Sequence, residues 1–330
     1  MFAFNITGAQ RVEMIDRRNP RIQHDSDAIV RVTTTTIGPR DLARYAGLIP
    51  ASQTIPGAEF CGLVEEVGED VSAVDLGDLV IGIGLDHSIS GEKIVFGWGD
   101  LDGGQALYVR APRANDTLLK VPSAAIEERA LLLADTYGLG ASAAGIAAQH
   151  PGDRVCVIGC DPYGASALVA LKAGGFKKVI AIDTEERRLG LAMRLGATIF
   201  DGSSHDIFNE ILETTGGSGP GVVILGAGIA QDQIELGIDL AKQSGLLVFT
   251  EPDLQGWPRP KIMGLEPEID IRRSNLPPRA DVAKYMLDLW GGSLDLEPLV
   301  SHVIPVNDAE RGYSQLHARE RGVHKILLKM

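Results

Sequence analysis

Cysteine is scarce in this chain, with three in 330 residues, and Cys156 and Cys160 stand too close together to suggest a disulfide framework. That scarcity excludes a small stapled scaffold and fits a reducing compartment. Aromatic residues make up only 5% of the chain, and 31 basic residues face 44 acidic ones, a formal net charge of -13. A chain this acidic repels polyanions and lacks the basic face that phosphate-backbone binding requires, so nucleic acid is not expected as a partner. No apolar stretch reaches the roughly 20 residues of a membrane span. The first residues, MFAFNITGAQRVEMIDRR, do not read as a signal peptide either. The expectation is a soluble cytoplasmic protein with no membrane partner.

What is present is ordinary globular material: 45% hydrophobic and 23% charged residues over a length that exceeds a single core and favours two domains. The 39 glycines suit a chain of many tight strand–helix turns. The first part reads as mostly β, with strands expected at 28–37 (AIVRVTTTTI), 60–67 (FCGLVEEV), 79–83 and 106–110, each bounded by Gly, Pro or Asp. From about residue 137 the rhythm becomes strand, Gly-rich turn, helix. The apolar strands fall at 155–158, 179–183, 198–200, 222–225 and 246–250, with amphipathic helical stretches between them. Continuous apolar strands alternating with such helices mean a buried, doubly wound parallel sheet. NLPPRADV, near residue 276, breaks the rhythm, and the tail ends in another apolar strand, KILLKM. No internal repeat or low-complexity tract is evident.

The order of elements, with IPGAEFCGLVEEVG, LGDLV, GGQALYVR, LLLADTYGLGA, PGDRVCVIG and RLGLAMRLGAT, resembles the medium-chain dehydrogenase/reductase family, most closely its zinc alcohol and formaldehyde dehydrogenase branch. The resemblance covers nearly the whole chain. It implies an α/β protein: a Rossmann doubly wound parallel sheet at 137–276 and a GroES-like β-rich domain built from 1–136 and 277–330, with the active cleft where they meet. Function has to be argued from the site.

In zinc-dependent members three protein ligands hold a metal that polarises a carbonyl or alcohol oxygen. The resemblance sets Gly38 at the first ligand position, Ala58 at the second and Asp135 at the third, and keeps Glu59, the acid close to the metal. Arg40 stands where the family has the Ser or Thr that relays the alcohol proton. The lobe that carries a second, structural zinc shortens to 84–104 and contains no Cys. One or two carboxylates make no high-affinity zinc site, so no zinc is expected. Arg40, Glu59 and Asp135 then become the candidate catalytic groups, Arg40 serving as electrophile or as an ion-pair partner of Asp41, Glu59 or Asp135. His87, in the shortened lobe, is a further and lesser candidate. The other six histidines show no metal-like spacing.

A dinucleotide fingerprint uses three glycines: one for the turn, one for approach to the pyrophosphate and one for helix–strand packing. Here the run is Gly159-Cys160-Asp161-Pro162-Tyr163-Gly164, with Asp161 in place of the second glycine. An acid there adds bulk and negative charge beside a pyrophosphate. The resemblance puts Tyr163 where a small aliphatic residue packs under the nicotinamide, and Thr250-Glu251-Pro252 where a Val-Gly pair lies beside its ribose. The adenosine half is kept. Asp183 ends the second strand, Arg188 takes the adenine-side basic position, and Lys325 matches a residue that reaches the pyrophosphate. Gly159, Pro162, Gly164, Asp183, Arg188 and Lys325 are therefore the expected cofactor-binding set, and NAD(H) is favoured over NADP(H).

Three functions compete. The first is a zinc-independent oxidoreductase that transfers a hydride between NAD(H) and a small organic substrate, with conjugate reduction of an activated alkene a good fit. The second is a redox-silent enzyme, a cyclase, isomerase, lyase or hydrolase, whose acid–base cleft uses Asp161, Tyr163, Glu251, Arg40 and Asp135 where nicotinamide formerly bound. The third is a non-catalytic nucleotide-binding homologue. The family's Rossmann sheets join edge to edge through the strand that matches PEIDIRR (267–273), so the resemblance implies a homodimer or tetramer. Light scattering at micromolar concentration is expected to give at least twice the mass of the single chain, and a monomer there would reject that assembly.

Overall fold

Two hydrophobic patterns, alternating in one stretch and continuous in the other, fold into two separate units. The computed structural model describes residues 1–86, 93–150, 154–227, 230–251 and 269–330. One unit comprises Met1–Asp135 with Leu276–Met330, and the other Thr136–Asn275.

The first unit is built on the strand Ala28–Ile37, whose run of Val and Thr favours an extended backbone. It pairs antiparallel with Phe60–Val67, Tyr108–Ala111 and Ile326–Lys329, and His302–Pro305, Leu79–Gly82 and Leu118–Lys120 complete a seven-stranded sheet. The register of the last strand sets Ile326 against Ile37, so the residue before it, Lys325, arrives beside the loop at Gly38. Val30, Val32, Phe60, Val64, Val80 and Val109 are buried in one cluster of this unit. The chain opens with a hairpin, Phe2–Gly8 on Arg11–Asp16, that the sequence reading did not anticipate. The expected strands at 79–83 and 106–110 are found as Leu79–Gly82 and Tyr108–Ala111.

The second unit is a six-stranded parallel sheet in the order Thr198–Asp201, Lys178–Asp183, Arg154–Ile158, Val222–Leu225, Leu246–Phe249, Asp270–Arg273, which in chain order is 3-2-1-4-5-6. This is the doubly wound arrangement the strand–helix rhythm required. Val155 and Val157 face one side, packing with Ala167, Leu168 and Leu171, while Cys156 and Ile158 face the other, packing with Ile207, Ile211 and Ile238. Burial on both faces explains why these strands are apolar without alternation. Within the sheet Asp270–Arg273 is the end strand, and it leaves one edge unpaired among the described residues. No single described helix is long and apolar enough to cross a membrane.

The turn after the central strand decides where the fingerprint helix, Pro162–Ala173, begins. Gly159 has a φ of 81°, in the left-handed region that favours glycine. Gly164 has no room for a side chain, because a Cβ there would collide with the carbonyl oxygen of Gly159. That obstacle is backbone and cannot rotate away. Gly164→Ala is therefore expected to destabilise the protein by about 1–3 kcal/mol, the usual cost of overpacking. Chemical denaturation tests this, and an unchanged midpoint would refute it.

Candidate functional site

In the first unit a short helix, Pro39–Tyr45, starts where Gly38 is extended (φ -102°, ψ 168°) and Pro39 supplies a preset first turn. Asp41 caps it, its Oδ2 accepting the Gly38 amide at 2.9 Å. The cap fixes the direction of the preceding side chain. Arg40 is 6% exposed and Asp135 5%, and Arg40 Nη2 forms an ion pair with Asp135 Oδ2. A second buried pair lies in the same unit: Lys325 Nζ donates to Glu59 Oε2 at 2.6 Å and to Thr36 Oγ1 at 3.2 Å, while Thr36 Oγ1 donates to Glu59 Oε2 at 2.7 Å. Lys325 is fully buried. Charges this deep persist only when compensated.

Asp41 also ties two loops together. Its Oδ1 accepts the Gly57 amide at 3.2 Å, and Gln105 Nε2 donates to its Oδ2 at 3.4 Å and to the Thr36 carbonyl at 2.9 Å. The Tyr313 hydroxyl donates to Gln105 Oε1 at 2.8 Å. Burial pushes the Asp41 carboxyl above its ordinary range, against the pull of the Gly38 amide and Arg44, and burial likewise raises the Tyr313 phenol. Gly38 and Ala58 offer no side-chain donor, while Asp135 and Glu59 each face a buried cation. Such a set does not fit zinc, which needs three or four converging N, S or O donors. Among the described residues no group of three or more His, Cys, Asp or Glu is placed to hold a metal.

In the second unit Asp161 is the N-cap of the fingerprint helix. Its Oδ1 accepts the amide of Tyr163 at 2.7 Å and that of Gly164 at 3.4 Å. Its Oδ2 is buried with no hydrogen-bond partner among the described residues. Burial pushes the carboxyl up to about 7, while Arg188 and the two amides pull the other way. Asp183, at the end of the second strand, accepts the Cys160 amide on Oδ2 at 2.7 Å and the Glu185 amide on Oδ1 at 2.8 Å. Arg188 lies 3.7 Å from Asp183 and 3.1 Å from Glu185. Cys160 is buried, and its thiol is raised first by burial and then by Asp183 and Asp161.

Of the expected catalytic residues, Arg40, Asp135 and Glu59 lie in the first unit, and Asp161 and Tyr163 in the second. Arg40, which had three carboxylates within reach in sequence terms, takes Asp135. Lys325, expected to reach a pyrophosphate, is buried beside Glu59, where the register of the last strand brings it. Tyr163 is 1% exposed, a packed residue of the helix's first turn. Thr250 is buried and its hydroxyl donates to the Leu225 carbonyl at 2.9 Å, so it holds neighbouring strand ends together. Gly159, Pro162 and Gly164 form the expected turn into the helix, with Asp183 and Arg188 at the adjoining strand end. His87 and Pro252 lie outside the described residues.

The sequence reading missed the polar network of Asp41, Thr36, Gln105 and Tyr313. The Gly-Pro-x-Asp run is a helix-start signal that marks Asp41 as a cap. Nothing local announces Gln105 and Tyr313, which meet across 208 positions.

The described geometry has counterparts. The family described as alcohol dehydrogenase GroES-like domain matches residues 24–123. A zinc-type alcohol dehydrogenase-like protein of Bacillus subtilis is 30% identical over an alignment that covers 100% of this chain and 100% of the relative. A zinc-type alcohol dehydrogenase of Aspergillus flavus is 29% identical, covering 97% of this chain and 79% of the relative. Among solved structures, the alcohol dehydrogenase of Thermus sp. ATN1 matches with a TM-score of 0.84 at 29% identity, covering 100% of this chain and 99% of that one. The chain belongs to the medium-chain dehydrogenase/reductase family, and dehydrogenases are its relatives.

The ion pair at Arg40 carries a stability prediction. Removing one member takes a buried opposite charge away from the other, so Arg40→Met or Asp135→Leu alone is expected to cost about 3–5 kcal/mol. The double variant, which removes both charges, should recover most of that loss. Denaturant titration of the three variants tests the cycle; additive losses in the double variant would show that the two charges do not compensate each other.

Proposed function

We propose that this protein is a zinc-independent oxidoreductase that transfers a hydride between NAD(H) and a small organic substrate, and that reduction of an activated alkene suits its site best. The observation that carries this reading is the buried Arg40–Asp135 ion pair, a fixed cation in a unit whose donors do not suit zinc. A guanidinium stays charged at every working pH and offers several donors in a rigid fork. Donated to a substrate carbonyl, it stabilises the negative charge that develops on that oxygen during reduction. Asp135 is then a positioning residue that orients the guanidinium. Glu59 is held by Lys325 and Thr36, and in this reading it secures the loop rather than meeting the substrate.

When bound, NAD(H) supplies or accepts the hydride. The second unit offers what a dinucleotide requires of the chain. Gly159 makes the turn and Gly164 lets the helix pack closely against it. Asp183 ends the second strand, a position from which a carboxylate accepts ribose hydroxyls and disfavours a 2′-phosphate. In alkene reduction the hydride goes to carbon and the resulting enolate takes its proton from water, so the carbonyl needs only a hydrogen-bond donor. The edge at Asp270–Arg273, unpaired among the described residues, supports a homodimer as the working assembly.

Fluorescence titration with NADH and turnover of a panel of α,β-unsaturated aldehydes and ketones test the reading. Arg40→Met is expected to lower kcat/KM by roughly 100-fold, the usual cost of losing a donor to a developing oxyanion, while NADH affinity stays within about twofold. Elemental analysis is expected to find no stoichiometric zinc, and chelators should leave activity intact. One zinc per chain with chelator-sensitive turnover would overturn the zinc-independent reading. Turnover that needs no nicotinamide would favour the redox-silent alternative.

A further inference from the structure

The first turn of the fingerprint helix presents free backbone amides, the groups that make a helix N-terminus receptive to phosphate. In this chain the amides of Tyr163 and Gly164 already hold an anion, Asp161 Oδ1. The other oxygen, Oδ2, is buried without a hydrogen-bond partner among the described residues, and it lies so close to Gly226 that a Cβ there would strike it. A carboxylate so placed keeps one oxygen well solvated by amides and leaves the other desolvated, which penalises its ionised form.

We propose that Asp161 is a built-in competitor for the pyrophosphate of a dinucleotide, and that the dinucleotide binds with uptake of one proton by this carboxyl. The inference rests on the nicotinamide reading above and adds to it how the altered fingerprint is reconciled with an anionic ligand. Charged and titratable groups face Asp161 from each neighbouring described element. Arg188 comes from the helix Glu186–Arg194, Asp183 from the end of the second strand, and the Cys160 thiol from the turn after the central strand. Burial raises that thiol, so it stays neutral. Burial, helped by Asp183, favours the protonated form of Asp161 and outweighs Arg188 and the two amides, which favour the ionised form, to give a value near 7.

The sign follows. A pyrophosphate adds negative charge beside the carboxyl and raises its proton affinity further in the complex. Below the free-state value the carboxyl is already neutral and affinity is independent of pH. Above it, each binding event must first supply a proton, and affinity falls as pH rises.

Calorimetric titration of the wild type with NADH and with ADP-ribose, from pH 6 to 8.5 in two buffers of different ionisation enthalpy, tests this without relying on turnover. ADP-ribose lacks the nicotinamide and isolates the pyrophosphate half. Both are expected to bind about 30-fold more weakly at pH 8.5 than at pH 6, a tenfold loss for each unit above 7, with up to one proton taken up per ligand. Asp161→Asn keeps an N-cap acceptor but cannot ionise, so it should bind with pH-independent affinity, about 30-fold tighter than wild type at pH 8.5, and take up no proton. Flat wild-type affinity without proton uptake would overturn the inference and leave the NAD(H) reading standing. No binding of either ligand by wild type or variant at any pH would overturn both. Should the variant fail to fold, proton uptake by the wild type decides.

Discussion

A carboxylate taken out of water must find a cation, a set of amide donors or a proton. The buried acids of both units are organised by that demand. Asp135 is met by Arg40 and Glu59 by Lys325, while Asp41 is met by the amides of Gly38 and Gly57 together with Gln105. Asp161 has two amides on one oxygen and none on the other, and its carboxyl is raised to about 7. Each solution also fixes a piece of backbone. The Asp41 carboxylate spans from the start of one short helix to the loop at Gly57, and the Lys325–Glu59–Thr36 triad links the last strand to that same loop region.

In the first unit these pairings give the polar interior an internal balance of charge. Two acids and two bases neutralise one another, and Gln105 and Tyr313 complete the hydrogen bonding of the third acid. A buried network of this kind tolerates the loss of a single member poorly, since the remaining partner loses a compensating charge. The family fold here holds a guanidinium paired with a carboxylate, while Gly38 and Ala58 offer no side-chain donor. Fold and reaction are separable on any scaffold that hosts many activities.

If the second unit takes a dinucleotide, as proposed, one side chain sets stability against binding. As an N-cap, Asp161 satisfies amides that the helix leaves open and complements its dipole, a contribution of about 0.5–2 kcal/mol. As a neighbour of those same amides, it takes the place that an anionic ligand uses. The flanking glycines sharpen the conflict. Gly164 packs against the Gly159 carbonyl, and Gly226 lies so close to Asp161 Oδ2 that a Cβ there would strike it. Relief by protonation is then chemically simpler than relief by movement.

Periodicity and punctuation alone were enough for the architecture of the second unit. The continuous apolar runs at 155–158, 179–183 and 222–225 could only be strands buried on both faces, and the glycine-rich turns between them left a doubly wound sheet as the consistent outcome. Single residues were legible where the signal was local: Gly159 and Gly164 by their spacing, Asp183 by its place at a strand end, and Asp161 as the acid in a glycine's position. What tertiary structure decided was which charges meet. Arg40 had Asp41, Glu59 and Asp135 to choose from, and the chain had to fold before Asp135, 95 positions further on, stood opposite it. Lys325 was brought to Glu59 by the register of one terminal strand, and Tyr313 reached Gln105 across 208 positions. Local sequence fixes backbone preference because its forces act over a turn or a pleat, whereas a buried charge is paired by whatever the completed packing brings within 3 to 4 Å.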